Sequence, residues 1–458
     1  MVKTQYIGNT TIVTCVGDEP VVLLNHGIVL EGNVIAKVGP SDELERQLPD
    51  RDSIAHFDGS HHVAIPGLIN THHHLYQSLT RGLACVQNAE LFDWLTELYT
   101  RWRHLSHDTV KLAAQVSIGE LLLSGCTTTS DHFYVFPQNT NVRVESVLEA
   151  ADSLGMRIHV CRGSMSVGQS KGGLPPDDCV QDERAIMKDC ARAVEAFHDP
   201  DPMGMVRVDL APCSPFSISP ELLRETAAFA RERGVLLHTH AAETMDEERY
   251  CLEKFGKRPI DYLAECDWLG DDVYLAHCVH LSNDDIKLLA KTKTGVAHCP
   301  CSNMRLGSGV PAIPELLREG VRVGLGVDGS SSNDGGHLLA EARQALLLQR
   351  VGGGAAAMTT ADAFRIATIG GAELLGRKTL GRIAHGYAAD LAMYRTDDIA
   401  LAGAVAQDPL AALMLCHVGR ADRVYVNGQV VVNEGRLTMQ DERRLALGLN
   451  QVVAKQFR

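Results

Sequence analysis

The chain has 458 residues, a length that exceeds one small domain and suits a barrel of about 250 residues with a second layer beside it. Its 43 Lys and Arg residues against 57 Asp and Glu residues give a net charge of −14, and 45% of its residues are hydrophobic. This composition is typical of a soluble globular protein. A surface this acidic repels phosphate backbones, so we expect no nucleic-acid partner.

The sequence carries no signal for a membrane or secreted protein. It contains no run of about 18 apolar residues that could span a membrane. Its first residues, MVKTQYIGNTTIVTC, lack the apolar segment and cleavage site of a signal peptide. The 13 cysteines are scattered through apolar segments, where reduced thiols act as small hydrophobic side chains. We therefore expect a cytoplasmic protein with no membrane partner.

The first 65 residues are typical of short β-strands. The segments IGNTTIVTC, VVLLNHGIVLEGNVIAKVG and IAHFDGSHHVAIPG are β-branched runs that Gly, Asn and Asp interrupt. No helical period precedes SDELERQL. Residues 1–65 are therefore predicted to be part of a β-sandwich.

Residues 66–378 alternate between strand-like apolar runs and amphipathic helical stretches. The eight predicted strands end in the segments GLINTHHH, GCTTTSDHF, MRIHVCRG, VRVDLAPC, VLLHTHAAE, VYLAHCVHL, GVAHCPCSN and RVGLGVDGS. Stretches such as SPELLRETAAFARERG begin at a Ser cap and end at Gly, as helices do. The count of eight favours a TIM-type (βα)8 barrel in the α/β class, although a doubly wound open sheet alternates in the same way.

The C-terminal segment resembles the N-terminal one. Residues 379–458 contain the strand-like segments GRIAHGYAADLAMYR and RADRVYVNGQVVVNEGRL, with an Asn427-Gly428 turn signal between two β-branched runs. We predict that residues 1–65 and 379–458 form one β-sandwich domain from both chain ends, followed by a terminal helix.

The predicted barrel strands change from apolar to polar at their C-terminal ends, which is the catalytic face of such barrels. The polar endings are His72, His74, His240, Glu243, His277 and Asp328. Residues two apart on a strand point to the same face. His72 and His74 should therefore point into the mouth together, whereas His73 should point into the barrel wall.

This set of side chains indicates a metal site. Three imidazoles and one carboxylate, from His72, His74, His240 and Asp328, suit Zn²⁺ or Fe²⁺. A water held by such a metal loses its proton near neutral pH. Asp328 could take that proton, and Glu243 could carry protons to a substrate. In the HTH segment His238 repeats the HxH spacing, and we expect it to pack against His240 or support it.

These residues resemble the amidohydrolase superfamily over nearly the whole chain. The matching motifs are PGLINTHHH, HTHAAE, LAHCVHL, HCPCSN, GVDG, GYAADLAMY and VYVNGQVV. The resemblance implies a (βα)8 barrel beside a β-sandwich, with His277 hydrogen-bonded to the bound water and Glu243 as the proton shuttle. Members with two metals carry a carboxylated lysine on the fourth strand. VRVDLAPC has none, so the resemblance implies one metal per chain.

Within the family, the chain is similar to aminohydrolases that act on purines, pterins and s-triazines, and most similar to 8-oxoguanine deaminases. The resemblance implies hydrolysis of 8-oxoguanine to urate and ammonia, with Glu243, His277 and Asp328 as the catalytic residues. Isoxanthopterin, guanine, another amino-heterocycle, or an s-triazine that loses amine or chloride remain alternatives. A catalytically dead scaffold would have lost its ligands, and all of them are present here.

Five further residues follow the predicted strands or lie in the first loops and are expected to contact a small heterocyclic substrate: Gln77, Trp94, Tyr134, Arg162 and Cys213. Gln77 could bond ring heteroatoms, Arg162 could pair with a carbonyl oxygen, and Trp94 or Tyr134 could stack on a planar ring. The sequence leaves the oligomeric state open, homodimers and larger homo-oligomers included.

Overall fold

A computed structural model describes residues 4–48, 54–138 and 140–457. It contains a closed barrel of eight strands and a separate sheet of nine strands. The barrel strands are β6 (Leu68–Asn70), β7 (Cys126–Phe133), β8 (Arg157–Ser164), β9 (Val206–Pro212), β10 (Leu237–Ala241), β11 (Val273–His277), β12 (Gly295–His298) and β13 (Val323–Leu325). Each predicted barrel strand is present in its predicted order, so the (βα)8 barrel is confirmed.

The second sheet takes its strands from both chain ends, as predicted. Its members are β1 (Thr4–Val16), β2 (Glu19–Glu31), β3 (Val34–Pro40), β4 (Ala55–Asp58), β5 (His62–Pro66), β14 (Leu391–Arg395), β15 (Arg423–Val426), β16 (Gln429–Asn433) and β17 (Arg436–Leu437). The two ends meet where β5 pairs antiparallel with β14. Side chains from both ends, including Ile7, Ile28, Ala64, Leu391 and Tyr425, share one buried apolar cluster.

Two of these strands are longer than the sequence predicted. β1 and β2 each have 13 residues, although Asn9 and Asn25 were expected to interrupt them. Both asparagines adopt left-handed backbone conformations within the strands, and the pairing of β1 with β2 shifts register beside them. The asparagines therefore form bulges, which bend a strand without ending it. Asn427 and Gly428, with φ of 51° and 76°, form the predicted hairpin turn between β15 and β16.

Helices surround the barrel and connect its strands. They are α1 (Ser41–Gln47), α2 (Leu91–Trp102), α3 (His107–Leu123), α4 (Glu145–Asp152), α5 (Glu183–Phe197), α6 (Pro220–Arg233), α7 (Met245–Phe255), α8 (Pro259–Glu265), α9 (Asn283–Thr292), α10 (Pro300–Arg305), α11 (Ile313–Arg318), α12 (Leu338–Gly353), α13 (Thr360–Ala367), α14 (Ile369–Leu374), α15 (Ala404–Gln407), α16 (Pro409–Leu415) and α17 (Glu442–Gln456). Across the described ranges, no helix is long and apolar enough to cross a membrane.

The start and stop signals of α6 show why the sequence folds locally as it does. The Ser219 side chain accepts a hydrogen bond from the backbone of Leu222, and Pro220 occupies the first turn, where its missing N–H costs nothing. The helix ends at Gly234, which adopts a left-handed conformation with φ of 67°. Ser, Thr or Asp side chains cap the first turns of α3, α5, α7 and α9 in the same way.

Closure of the barrel brings the first and last strands together. β13 pairs with β6 through Leu325 and Asn70, and the backbone N–H of Asp328 then donates to the carbonyl of His72 at 3.0 Å. Because all eight strands are parallel, their C-terminal ends meet at one mouth. Residues separated by more than 250 positions in the sequence therefore become neighbours there.

A buried ion pair joins the barrel to the sheet. Arg157 on β8 and Asp390, which precedes β14, are both buried and bonded to each other. The second carboxylate oxygen of Asp390 accepts the backbone N–H of Asn427 at 2.7 Å. The pair therefore connects three elements that lie far apart in the sequence.

We predict that Asp390→Asn destabilises the protein strongly, because it leaves the buried guanidinium of Arg157 without a counter-charge. Breaking a buried pair in this way costs about 3–5 kcal/mol of unfolding free energy. Thermal and urea denaturation measure the change. The matched control is Asp397→Asn, which breaks the exposed pair with Arg395 and should leave the unfolding midpoint unchanged. Equal effects of the two variants would contradict the role of the buried pair.

Candidate metal centre and active site

The mouth of the barrel gathers three imidazoles and one carboxylate. His72 and His74 follow β6, His240 lies in β10 and Asp328 follows β13. The Nε2 atoms of His74 and His240 are 3.2 Å apart. The Oδ1 atom of Asp328 lies 3.4 Å from Nε2 of His72 and 3.3 Å from Nε2 of His74. The four predicted ligands are thus brought to one point.

Backbone carbonyls fix the protonation of two of these rings. Nδ1 of His74 lies 2.7 Å from the carbonyl oxygen of His132, and Nδ1 of His240 lies 2.5 Å from that of Cys213. A carbonyl oxygen can only accept a hydrogen bond, so each Nδ1 must carry the proton. Each Nε2 is then left with a lone pair that points to the common centre.

His238 fixes the third ring, and it contacts His72 rather than His240. Nδ1 of His238 faces the carbonyl oxygen of Tyr274 at 2.8 Å and therefore carries its proton. Its Nε2 is then an acceptor for Nδ1–H of His72, at 2.8 Å. The expected support of His240 is wrong because His238 shares the inward face of β10 with His240 but lies one layer deeper, beneath His72.

These donors fit a divalent metal. Two unprotonated Nε2 atoms at 3.2 Å repel each other unless a cation lies between them, and the buried Nε2 of His72 has no hydrogen-bond partner among the described residues. Two ligands bonded at 2.0–2.1 Å to one tetrahedral zinc ion are about 3.3–3.4 Å apart. The observed separations of 3.2–3.4 Å agree with this. The 2.8 Å separation between His72 and His238 is shorter and is that of a hydrogen bond.

The carboxylate of Asp328 is held in its charged form. Burial opposes ionisation, but His72 and His74 outweigh it and hold the pKa of Asp328 well below its usual value. Oδ2 accepts hydrogen bonds from Ser302 at 2.6 Å and Ser332 at 2.9 Å. The residue also has a φ of 62°, a conformation that costs free energy outside glycine and concentrates at functional sites.

Glu243 and His277 lie next to the metal-binding side chains. Oε2 of Glu243 is 3.7 Å from Nε2 of His277, which is 4.0 Å from Oδ2 of Asp328. Burial raises the pKa of Glu243 to about 7, which suits a group that gives and takes protons near neutral pH. Burial opposes the charged form of His277, but the carboxylates of Glu243 and Asp328 outweigh it and raise its pKa.

Sequence reasoning missed Glu247, which holds the Glu243 loop. Its two carboxylate oxygens accept the backbone N–H groups of Ala242 and Glu243, both at 2.9 Å. Ala242 has a φ of 51°, so the loop needs this support. Burial raises the pKa of Glu247 to about 7. The available signal was an acidic residue in the first turn after the Thr244 cap, where carboxylates bond free backbone N–H groups.

A cavity lies over these groups. Four of the five predicted substrate contacts line it, namely Gln77, Trp94, Tyr134 and Cys213, and the wall also includes Leu91, Leu95, Phe216, Leu306 and Ser332. Away from the metal-binding side chains the wall is largely apolar. Such a lining is typical of pockets that bind small organic molecules.

Arg162 does not reach the cavity. Its guanidinium bonds Asp189 on α5 at 2.6 Å and Gln181 at 2.9 Å, and it lies over the ring of Phe136. The expectation that it faces the mouth is wrong because side chains alternate along β8. Its neighbour Cys161 points into the barrel toward Tyr274, so Arg162 points outward into the helix layer.

His73 points away from the metal-binding side chains, as alternation predicts. It is fully buried, and its Nδ1 accepts the backbone N–H of His74 at 2.8 Å. None of the clusters with metal-binding spacing in the described residues contains it.

Eight parallel strands around a mouth with four imidazoles and two carboxylates are the arrangement of a metal-dependent barrel hydrolase. Residues 63–431 match the amidohydrolase family, and the chain belongs to this family.

Several relatives of known activity resemble the chain. It is 46% identical to the 8-oxoguanine deaminase of Pseudomonas aeruginosa over 410 residues, which cover 89% of this chain and 90% of that protein. It is 38% identical to an isoxanthopterin deaminase from an unknown prokaryotic organism over 80% of each. The structure of atrazine chlorohydrolase from Arthrobacter aurescens TC1, complexed with zinc, superimposes with a TM-score of 0.92 at 33% identity and covers 98% of this chain and 100% of that one. The chain is thus an amidohydrolase of the purine and triazine branch.

We predict that His74→Ala abolishes tight metal binding, whereas His73→Asn retains about one metal per chain. Alanine removes one of the converging lone pairs, but the asparagine oxygen can still accept the His74 backbone N–H that His73 bonds. Elemental analysis after dialysis measures the metal content without reference to activity. Loss of metal in His73→Asn would contradict the conclusion that His73 points away from the metal-binding side chains.

We predict that His238→Phe weakens metal binding about 10- to 100-fold, because the ring of His72 loses the partner that orients it. His238→Gln should retain most of the affinity, since its amide can donate to the Tyr274 carbonyl and accept from His72. Titration against a competing chelator measures the dissociation constant in each variant. Wild-type affinity in His238→Phe would refute the orienting role.

Proposed function

We propose that the chain deaminates an oxidised purine, converting 8-oxoguanine and water to urate and ammonia. The observation that carries this proposal is the Glu243–His277–Asp328 group beside the converging ligands, in a chain 46% identical to an 8-oxoguanine deaminase. Identity is lower to the isoxanthopterin deaminase, at 38%, which makes that pterin the second candidate. Guanine and s-triazines that lose amine or chloride follow, and the zinc-bound atrazine chlorohydrolase supports the last of these at 33% identity.

We propose that His72, His74, His240 and Asp328 hold one divalent metal, with zinc preferred to iron. The zinc in the similar atrazine chlorohydrolase supports this choice, and β9 carries no lysine that could bridge a second ion. A metal held here supplies Lewis acidity that makes water a nucleophile near neutral pH. Two equivalents per chain, both needed for activity, would contradict the assignment.

Side chains of the protein carry out the proton transfers of the reaction. Asp328, which is ionised at rest, accepts a proton from the attacking water. The water oxygen adds to C2 of the purine while Glu243 protonates the adjacent ring nitrogen, for which its pKa of about 7 is suited. His277 donates a hydrogen bond to the attacking oxygen. Asp328 then passes the proton that it took from water to the exocyclic amine, the C2–N bond breaks, and ammonia leaves. The oxygen bound to C2 loses its remaining proton to Glu243 and becomes the C2 carbonyl of urate.

The proposal is tested by loading the purified protein with Zn²⁺ or Fe²⁺ and screening 8-oxoguanine, guanine, isoxanthopterin and s-triazines for release of ammonia or chloride. We expect 8-oxoguanine to have the highest kcat/KM. A higher value for isoxanthopterin or a triazine would reassign the substrate. Fully loaded protein that turns over none of these compounds would favour the inactive scaffold.

We predict that Glu243→Gln lowers kcat by about 10²- to 10⁴-fold while metal content stays at the wild-type value. The amide keeps the shape of the side chain but cannot carry the proton. Steady-state kinetics and elemental analysis on the same preparation measure both quantities. Glu253→Gln, on the exposed side of α7, is the matched control and should be fully active. Near-normal turnover in Glu243→Gln would remove Glu243 from the mechanism.

A further inference from the structure

One of the three tryptophans of the chain, Trp94, differs from the other two in its hydrogen bonding. All are buried. The indole N–H of Trp102 donates to the hydroxyl of Thr80 at 3.1 Å, and that of Trp268 donates to the carbonyl of Leu223 at 2.8 Å. The indole N–H of Trp94 is equally buried but has no partner among the residues that the structure describes. Buried indole N–H groups normally find an acceptor, so this donor requires an explanation.

The position of Trp94 supplies one. It lies on α2, and its side chain lines the cavity above the metal-binding side chains. The neighbouring wall is apolar, with Leu91 and Leu95 from the same helix and Phe216 and Leu306 from other loops. Gln77 also lines the cavity, but its side-chain oxygen is close to the backbone N–H of Ser331, at 3.4 Å. Trp94 thus contributes a donor that no acceptor among the described residues of the cavity wall reaches.

We propose that the indole N–H of Trp94 donates to an oxo oxygen of the bound heterocycle, so that Trp94 selects oxidised purines over their parent purines. This inference rests on the proposed function and extends it to the origin of its specificity. In 8-oxoguanine the reacting C2 amine and the C8 oxygen lie at opposite ends of the bicyclic ring. With the amine at the metal-binding side chains, the C8 oxygen is available to the remote wall.

Guanine presents a C–H group where 8-oxoguanine has its C8 oxygen. A C–H group cannot accept the indole hydrogen, so guanine would leave the buried N–H of Trp94 unpaired. Sites that bond a polar substrate group reject analogues that lack it, because the buried partner is then unsatisfied. Trp94 therefore acts through the one oxygen in which the two purines differ.

The test compares kcat/KM for 8-oxoguanine and guanine in wild type and Trp94→Phe. We expect the wild type to prefer 8-oxoguanine, and the variant to lose about 10- to 100-fold on 8-oxoguanine with little change on guanine. The matched control is Trp268→Phe, which removes a paired indole N–H outside the cavity and should keep the wild-type preference. A preserved preference in Trp94→Phe, or an equal loss on both purines, would overturn the inference.

Binding of urate and xanthine separates this inference from the proposed function. These purines differ by the same C8 oxygen and carry no amine, so their binding requires no turnover. We expect calorimetry on the metal-loaded wild type to show urate binding at least about tenfold more tightly than xanthine, and Trp94→Phe to lower this affinity ratio about tenfold. Equal binding to the wild type would overturn the role of Trp94 even if the variant fails to fold. A wild type that deaminates neither purine would refute the proposed function alone.

Discussion

The site depends on hydrogen bonds that backbone carbonyls accept from imidazole rings. The carbonyls of His132 and Cys213 hold the Nδ1 protons of His74 and His240, and the carbonyl of Tyr274 does the same for His72 through His238. A side-chain acceptor could rotate or titrate, but a carbonyl in a barrel strand or at its end does neither. The three lone pairs are therefore aimed by the fold itself, before any ion binds.

This arrangement also explains why the protonation states at the mouth differ so widely. The metal-binding histidines are buried and held neutral, since burial lowers the pKa of His72, His74 and His240. Asp328 stays ionised beside them. Burial leaves the pKa of Glu243 close to neutrality. The two carboxyl groups thus differ in protonation because their surroundings differ. Acid–base catalysis at one pH requires such a difference.

Sequence reasoning predicted the barrel and the convergence of the ligands because both follow from strand periodicity. Alternation separated His73 from His72 and His74, and the same rule applied to β8 would have turned Arg162 outward. It could not show that His238 lies beneath His72, because that contact depends on the relative height of two strands. Nor could it identify Glu247, whose role arises from a loop conformation, or the unpaired indole of Trp94, which only the packed cavity reveals.

Because β5 pairs with β14, the sheet cannot be completed until the C-terminal strands have been synthesised. β5 leads directly into β6 and so into His72, yet its partner strand lies more than 300 residues later. Until that partner emerges, β5 is an open edge, and the apolar faces of Ile7, Ile28 and Ala64 lack the side chains that cover them. Such edges pair readily with other chains. The nascent chain therefore carries a hazard of aggregation beside its future metal site until synthesis is almost complete.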